Sequence, residues 1–106
     1  MVACCLEFMS ERTASLDFDL IARLRSAVPV PLVLHGSSGV ADDELRKAVT
    51  VGITKINVGT LLNVHFTGAV RAHLGSDDAV TDPRKYLTPA RTAVADAVAA
   101  LLGAIA

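Results

Sequence analysis

Two short apolar runs, Pro31-Leu-Val-Leu-His-Gly-Ser-Ser-Gly39 and Gly52-Ile-Thr-Lys-Ile-Asn-Val-Gly-Thr60, each end in polar residues just where a helical pattern begins. An aliphatic stretch of this length, bounded by turn residues, predicts a buried parallel strand, and the repeat predicts α/β architecture. The free N–H groups at the start of a following helix favour anions. The polar strand ends can thus grip a metal or a phosphate, and a phosphorylated ligand is expected there, with His35 at the carboxyl end of the first strand.

Around these runs the pattern is helical. Phe18, Leu20, Ile21, Leu24 and Ala27 fall near helical spacing across 17–28, and Val28-Pro29-Val30-Pro31 stops that helix. A second helix is expected over 41–51, with Asp42, Asp43 and Glu44 in its first turn and Gly52 closing it. The second strand is expected over 53–58, then a third helix over 61–74 with Thr60 as its N-cap. After the Gly75-Ser-Asp-Asp break, a tail helix from 83 to 106 carries Val94, Val98, Leu101, Leu102 and Ile105 as an apolar stripe.

Composition narrows the function classes. Hydrophobic residues make up 52% of the 106, which excludes a disordered chain, while a net charge of −1 with no basic patch argues against nucleic acid or an anionic membrane as partner. Cys4 and Cys5 are adjacent, which suits neither a CxxC motif nor a disulfide framework and fits a reducing cytoplasm. The apolar opening lacks a basic segment and meets Glu7 and Glu11 too early for a signal peptide or a membrane span, so a cytoplasmic protein is expected.

Two parallel strands do not make a stable sheet, because they leave two edges and two apolar faces to cover. The expectation is that the molecule oligomerises, or that earlier strands lie upstream of Met1. The isolated chain is expected to aggregate through its open edge and apolar tail.

Four blocks in order, Leu16-Asp-Phe-Asp19, Pro31 through Val40, Gly52 through Thr60 and Asp82-Pro-Arg-Lys-Tyr-Leu87, resemble the C-terminal portion of class II, metal-dependent ketose-bisphosphate aldolases. The resemblance covers 16–106 and leaves 1–15 as a divergent segment. It implies the last two strands of a TIM (β/α)8 barrel with their helices, an incomplete barrel, since a closed one takes about 250 residues. It also implies reversible cleavage of fructose or tagatose 1,6-bisphosphate to dihydroxyacetone phosphate and an aldehyde phosphate, a step of carbohydrate metabolism and glycolysis. By the same resemblance the cofactor is zinc, the partner is a phosphorylated sugar, and the full-length form is a homo-oligomer.

Carried over by position, His35 matches a zinc ligand and Gly36, Ser37 and Ser38 match a phosphate-binding loop. Asn57, Val58, Gly59 and Thr60 match a second substrate segment, with Asn57 near the reacting carbons. Arg84 matches an arginine that in some members reaches a phosphate from the neighbouring subunit. The family also has Gly or Ala at the place of Ser37, and some members have an acidic residue or Asn at that of Gly59. Upstream of Leu16 the family has a Val-Gly-x-x-His-Gly-like segment with a second zinc histidine, whereas this chain reads Met1-Val-Ala-Cys-Cys-Leu-Glu-Phe-Met9.

Each residue also has a plainer reading. His35 alone would be a structural histidine, Gly36-Ser-Ser-Gly39 a tight turn, Asn57 a strand-end cap, and His65 and His73 solvated helix residues. The Gly-Ser-Ser-Gly spacing does not form the Gly-x-Ser-x-Gly elbow of serine hydrolases. The expectations that remain are a zinc aldolase chain, inactive as these 106 residues alone, and a truncated, non-catalytic phosphate-binding or assembly module.

Overall fold

The computed structural model describes residues 12–106, so the Cys4–Cys5 pair and most of the segment 1–15 lie outside the described residues. Two compact units divide the chain, one of Met1–Val58 with Ala104–Ala106 and one of Gly59–Gly103.

The first unit is a small α/β piece. Helix α1 (Phe18–Ala27) starts where the Asp17 carboxylate accepts the Leu20 N–H at 2.9 Å, so the expected first residue of the helix is its cap. The Val28-Pro29 turn ends it, and strand β1 (Leu32–Leu34) follows. A short 3₁₀ turn (Ser37–Gly39) then leads to α2 (Asp42–Val51) and strand β2 (Ile53–Ile56). The two strands pair in parallel, as the connecting helix requires. Strand β2 stops two residues short of the expected end, at Ile56, and the Asn57 N–H still donates to the Leu34 carbonyl at 2.9 Å.

The register runs Leu32 to Ile53, Val33 to Lys55 and Leu34 to Ile56, so Thr54 is an extra residue in β2. Ile21 of α1, Ala48 of α2 and Ile53 of β2 form the buried core, with Leu16, Phe18, Leu32, Leu34, Val51 and Ile56 packed around it. One sheet face is thereby covered by helices. On the other face Val33 is 41% exposed and Lys55 is exposed. The Lys47 ammonium lies 4.1 Å from the centre of the Phe18 ring and ties α2 to α1.

Residues 12–16 clamp the start of α2. The Ala14 N–H donates to Gly39 at 2.9 Å, Ala14 bridges Val40 in parallel, the Leu16 N–H donates to Glu44 at 2.8 Å, and Arg12 pairs with Asp42. At the other end of α2, Gly52 has φ +153°, and a Cβ there would stand 2.9 Å from Cγ and 3.0 Å from Cβ of Arg25. Gly52→Ala should therefore destabilise the unit by about 1–3 kcal/mol, from backbone strain plus displacement of the Arg25 stem. A urea midpoint unchanged from the parent would contradict this.

The second unit holds α3 (Thr60–Ser76) and most of α4 (Arg84–Ile105). Gly59, not Thr60, is the residue at the N-cap of α3; no side chain caps it, and its carbonyl accepts the Asn63 N–H at 3.1 Å. Thr60 is thus the first helical residue, a correction to the expected cap. His65 is exposed as expected, but His73 is half-buried and its Nε2 has no hydrogen-bond partner among the described residues. Before α4, the Asp82 carboxylate accepts both the Arg84 backbone N–H at 3.0 Å and its guanidinium, at 2.6 Å from Nη2. That guanidinium, and then the backbone N–H, hold the Asp82 carboxyl below its ordinary range. Along α4, Val94, Val98, Leu101 and Ile105 are half-buried, while Leu102 is 58% exposed and lies off the stripe.

Candidate functional site

Alternation along the strands sets the site. Leu34 and Ile56 point into the core, so the next residues, His35 and Asn57, fall on the opposite face, the one that carries Val33 and Lys55. The parallel register brings them side by side, with Asn57 Nδ2 3.2 Å from His35 Nδ1. Both lie at the carboxyl ends of their strands, where open α/β sheets and barrels gather ligand-binding groups.

The amide orientation matters to the imidazole. An Nδ2 donor engages the lone pair of Nδ1, which leaves the ring proton on Nε2. Rotated by half a turn, the amide would instead accept from Nδ1–H and free the Nε2 lone pair for a cation. Asn57 can thus hold His35 in either tautomer, and His35, being exposed, can meet a ligand.

Ser37 is built in from below. Its hydroxyl is almost fully buried, 2% exposed as a residue, and donates to the Asn57 carbonyl at 2.6 Å. Gly36 precedes it at φ 71°, a left-handed conformation that glycine adopts without strain and that turns the chain from β1 into the 3₁₀ segment. Ser37 therefore links the loop after β1 to the loop after β2. Its side chain is committed to that link, so what the turn would offer an anion is backbone N–H groups; Ser38 beside it is half-buried. Ser37→Ala removes the donor and leaves a carbonyl short of a partner, which should cost about 1–3 kcal/mol. Thermal unfolding of the variant checks this, and a midpoint within error of the parent would refute it.

Charge differs between the two helix starts. Helix α2 brings Asp42, Asp43 and Glu44 in its first turn, and these oppose an anion there. Helix α3 has no acidic residue in its first turn and no side-chain cap, so its N–H groups carry the favourable potential. Of the second segment, Asn57 and Val58 belong to the first unit and Gly59 and Thr60 open the second, where both are exposed. Arg84 also lies in the second unit, clamped by Asp82.

No group of three or more His, Cys, Asp and Glu side chains able to hold a metal ion occurs among the described residues. His35 stands as a single candidate ligand, which falls short of the three protein ligands of a catalytic zinc site. Sequence pattern alone did not single out Lys55. Its signal was present, since it precedes Asn57 by two residues in a strand and must share its face.

Residues 7–105 match the family described as fructose-bisphosphate aldolase class-II. Among solved structures, the YdjI aldolase from Escherichia coli K12 is similar at a TM-score of 0.68 and 26% identity, over 92% of this chain and 36% of that one. The chain thus spans little more than a third of the length of that relative.

Proposed function

Since the chain belongs to the class-II fructose-bisphosphate aldolase family, we propose that it forms the His35–Asn57 corner of a lyase that cleaves a ketose 1,6-bisphosphate reversibly to dihydroxyacetone phosphate and an aldehyde phosphate. The observation that supports this most directly is the 3.2 Å pairing of Asn57 with His35 at the carboxyl ends of two adjacent parallel strands. Aldol cleavage needs an oriented ketone and a place for the negative charge left on carbon after the bond breaks. A carboxamide beside an exposed imidazole supplies a donor to such an oxygen. The turn at Gly36, Ser37 and Ser38 supplies N–H groups for a substrate phosphate, and the segment Val58, Gly59 and Thr60 is a second candidate for that role.

The family is zinc-dependent, but the described residues do not make a zinc site, and no step of the proposal runs through the metal. His35 is the residue that would serve as a ligand once others are supplied. On this reading the 106 residues alone are inactive, and the working form is a cytoplasmic oligomer acting on a phosphorylated sugar.

The test is release of dihydroxyacetone phosphate from fructose and tagatose 1,6-bisphosphate by the protein purified from its source, before and after chelation. Chelator-sensitive cleavage of either sugar supports the reading. Absence of cleavage together with saturable binding of the sugar bisphosphates would replace it with the non-catalytic phosphate-binding module, the reading favoured by the lone histidine.

A further inference from the structure

The His35–Asn57 pair is made of parts that do not suit a metal ligand. A histidine that holds a metal through one ring nitrogen ordinarily donates from the other, to a carboxylate, a carbonyl or water. Here the neighbour within reach is a carboxamide whose nitrogen lies 3.2 Å from His35 Nδ1. The ring nitrogen that should donate is thus met by a donor, and accepts. With Nδ1 accepting, the neutral ring carries its proton on Nε2 and has no lone pair left for a cation.

The amide is held in place from its own backbone. The Asn57 N–H donates to the Leu34 carbonyl at 2.9 Å, and the Asn57 carbonyl accepts the hydroxyl of Ser37 at 2.6 Å, so the chain is anchored on both sides of this side chain. Ser37 is itself fixed by burial. Charge on this sheet face points the same way. Val33, His35, Lys55 and Asn57 share the face, and they bring one ammonium and no carboxylate. Of the acids that follow the turn, Asp42 pairs with Arg12 and Glu44 accepts the Leu16 N–H.

We propose that the Asn57–His35 hydrogen bond and a metal ion on His35 exclude each other, so that Asn57 opposes zinc at this corner. A metal on Nδ1 takes the lone pair that the amide uses. A metal on Nε2 needs the ring proton moved to Nδ1, where it meets the amide N–H until the carboxamide turns over. Either route breaks the contact as it is folded here. The disagreement between a zinc-dependent family and the donors of this chain is therefore carried in part by a single side chain. The inference concerns affinity for the ion, and it stands whether or not the chain cleaves a sugar.

The experiment is a zinc titration of the full 106-residue chain, followed by NMR at the His35 ring at about pH 8, where an ordinary imidazole is neutral. Cys4→Ser and Cys5→Ser in the background keep thiolates from taking the ion. In the metal-free chain the His35 nitrogen shifts should place the proton on Nε2, and a proton on Nδ1 would overturn the proposal with no variant needed. As zinc is added, the signals of the His35 ring and of the Asn57 carboxamide should move together; a carboxamide that stays bonded to a zinc-loaded His35 would also overturn it. Asn57→Leu keeps both backbone bonds and removes the amide, and should bind zinc at His35 about two- to tenfold more tightly. Equal or weaker binding by this variant would mean that Asn57 does not oppose the ion. Should the variant unfold, the tautomer and the coupled shifts in the parent still decide. Loss of sugar cleavage in an Asn57 variant bears on the lyase reading alone.

Discussion

On the proposed lyase reading, Asn57→Ala should lower aldol cleavage by on the order of 10²-fold while barely moving the thermal midpoint. The separation follows from which atoms the residue uses. Its backbone N–H holds Leu34 and its carbonyl accepts from Ser37, and both survive the substitution. Its amide holds His35, and that contact does not. Rate should fall with little change in KM, since on that reading the lost donor would act on charge that develops only as the carbon–carbon bond breaks. Steady-state kinetics on the purified variant decide it. An unchanged kcat would remove Asn57 from the chemistry, and a large fall in the thermal midpoint would make its role architectural.

The second large effect is on stability. Leu45 is 1% exposed on α2 and is the largest fully buried side chain among the described residues. Leu45→Ala should cost about 3 kcal/mol in lost transfer free energy and residual cavity. In a domain of this size that corresponds to a fall of about 10 °C or more in Tm. Calorimetry or denaturant titration measures it directly, and a loss under 1 kcal/mol would mean that α2 collapses onto the vacated space. Leu45→Met, which conserves volume, should recover most of the loss.

Much of the fold was legible because its signals are local. The apolar run at Leu32–Leu34, the glycine at position 52 and the prolines after Val28 each dictate backbone geometry within a few residues, and the strands and helices sit where these place them. The errors are also local in origin. Threonine before an apolar helix suggests a cap, yet the chain turns at Gly59 and takes Thr60 into the first turn. Asp17 has the opposite history, a predicted helix residue that serves as the cap.

The site was legible only in part. His35 and Asn57 could be picked out as strand-end residues, but their contact depends on a register set 22 residues apart in sequence. Ser37 shows the limit most clearly. Its position in the loop was visible, whereas the use of its hydroxyl as a strut to Asn57 follows from burial that no local pattern encodes. His73 likewise gives no sign in sequence that its ring nitrogen is shut away from partners.

The extra residue in β2 bears on how such a chain tolerates length changes during evolution. Ile53 and Ile56 both face the core although they are three positions apart, which strict alternation forbids and Thr54 makes possible. Loss of the Thr54 codon would leave Ile53, Lys55, Ile56 and Asn57 in simple alternation, with every functional side chain still on its own side. Gain of a codon at the same place would also restore alternation, but in strict pairing it would bring Lys55 level with His35 and carry Asn57 two residues beyond it, which parts the His35–Asn57 pair. The strand is therefore asymmetric toward deletion and insertion, and natural variation in its length should run in one direction only.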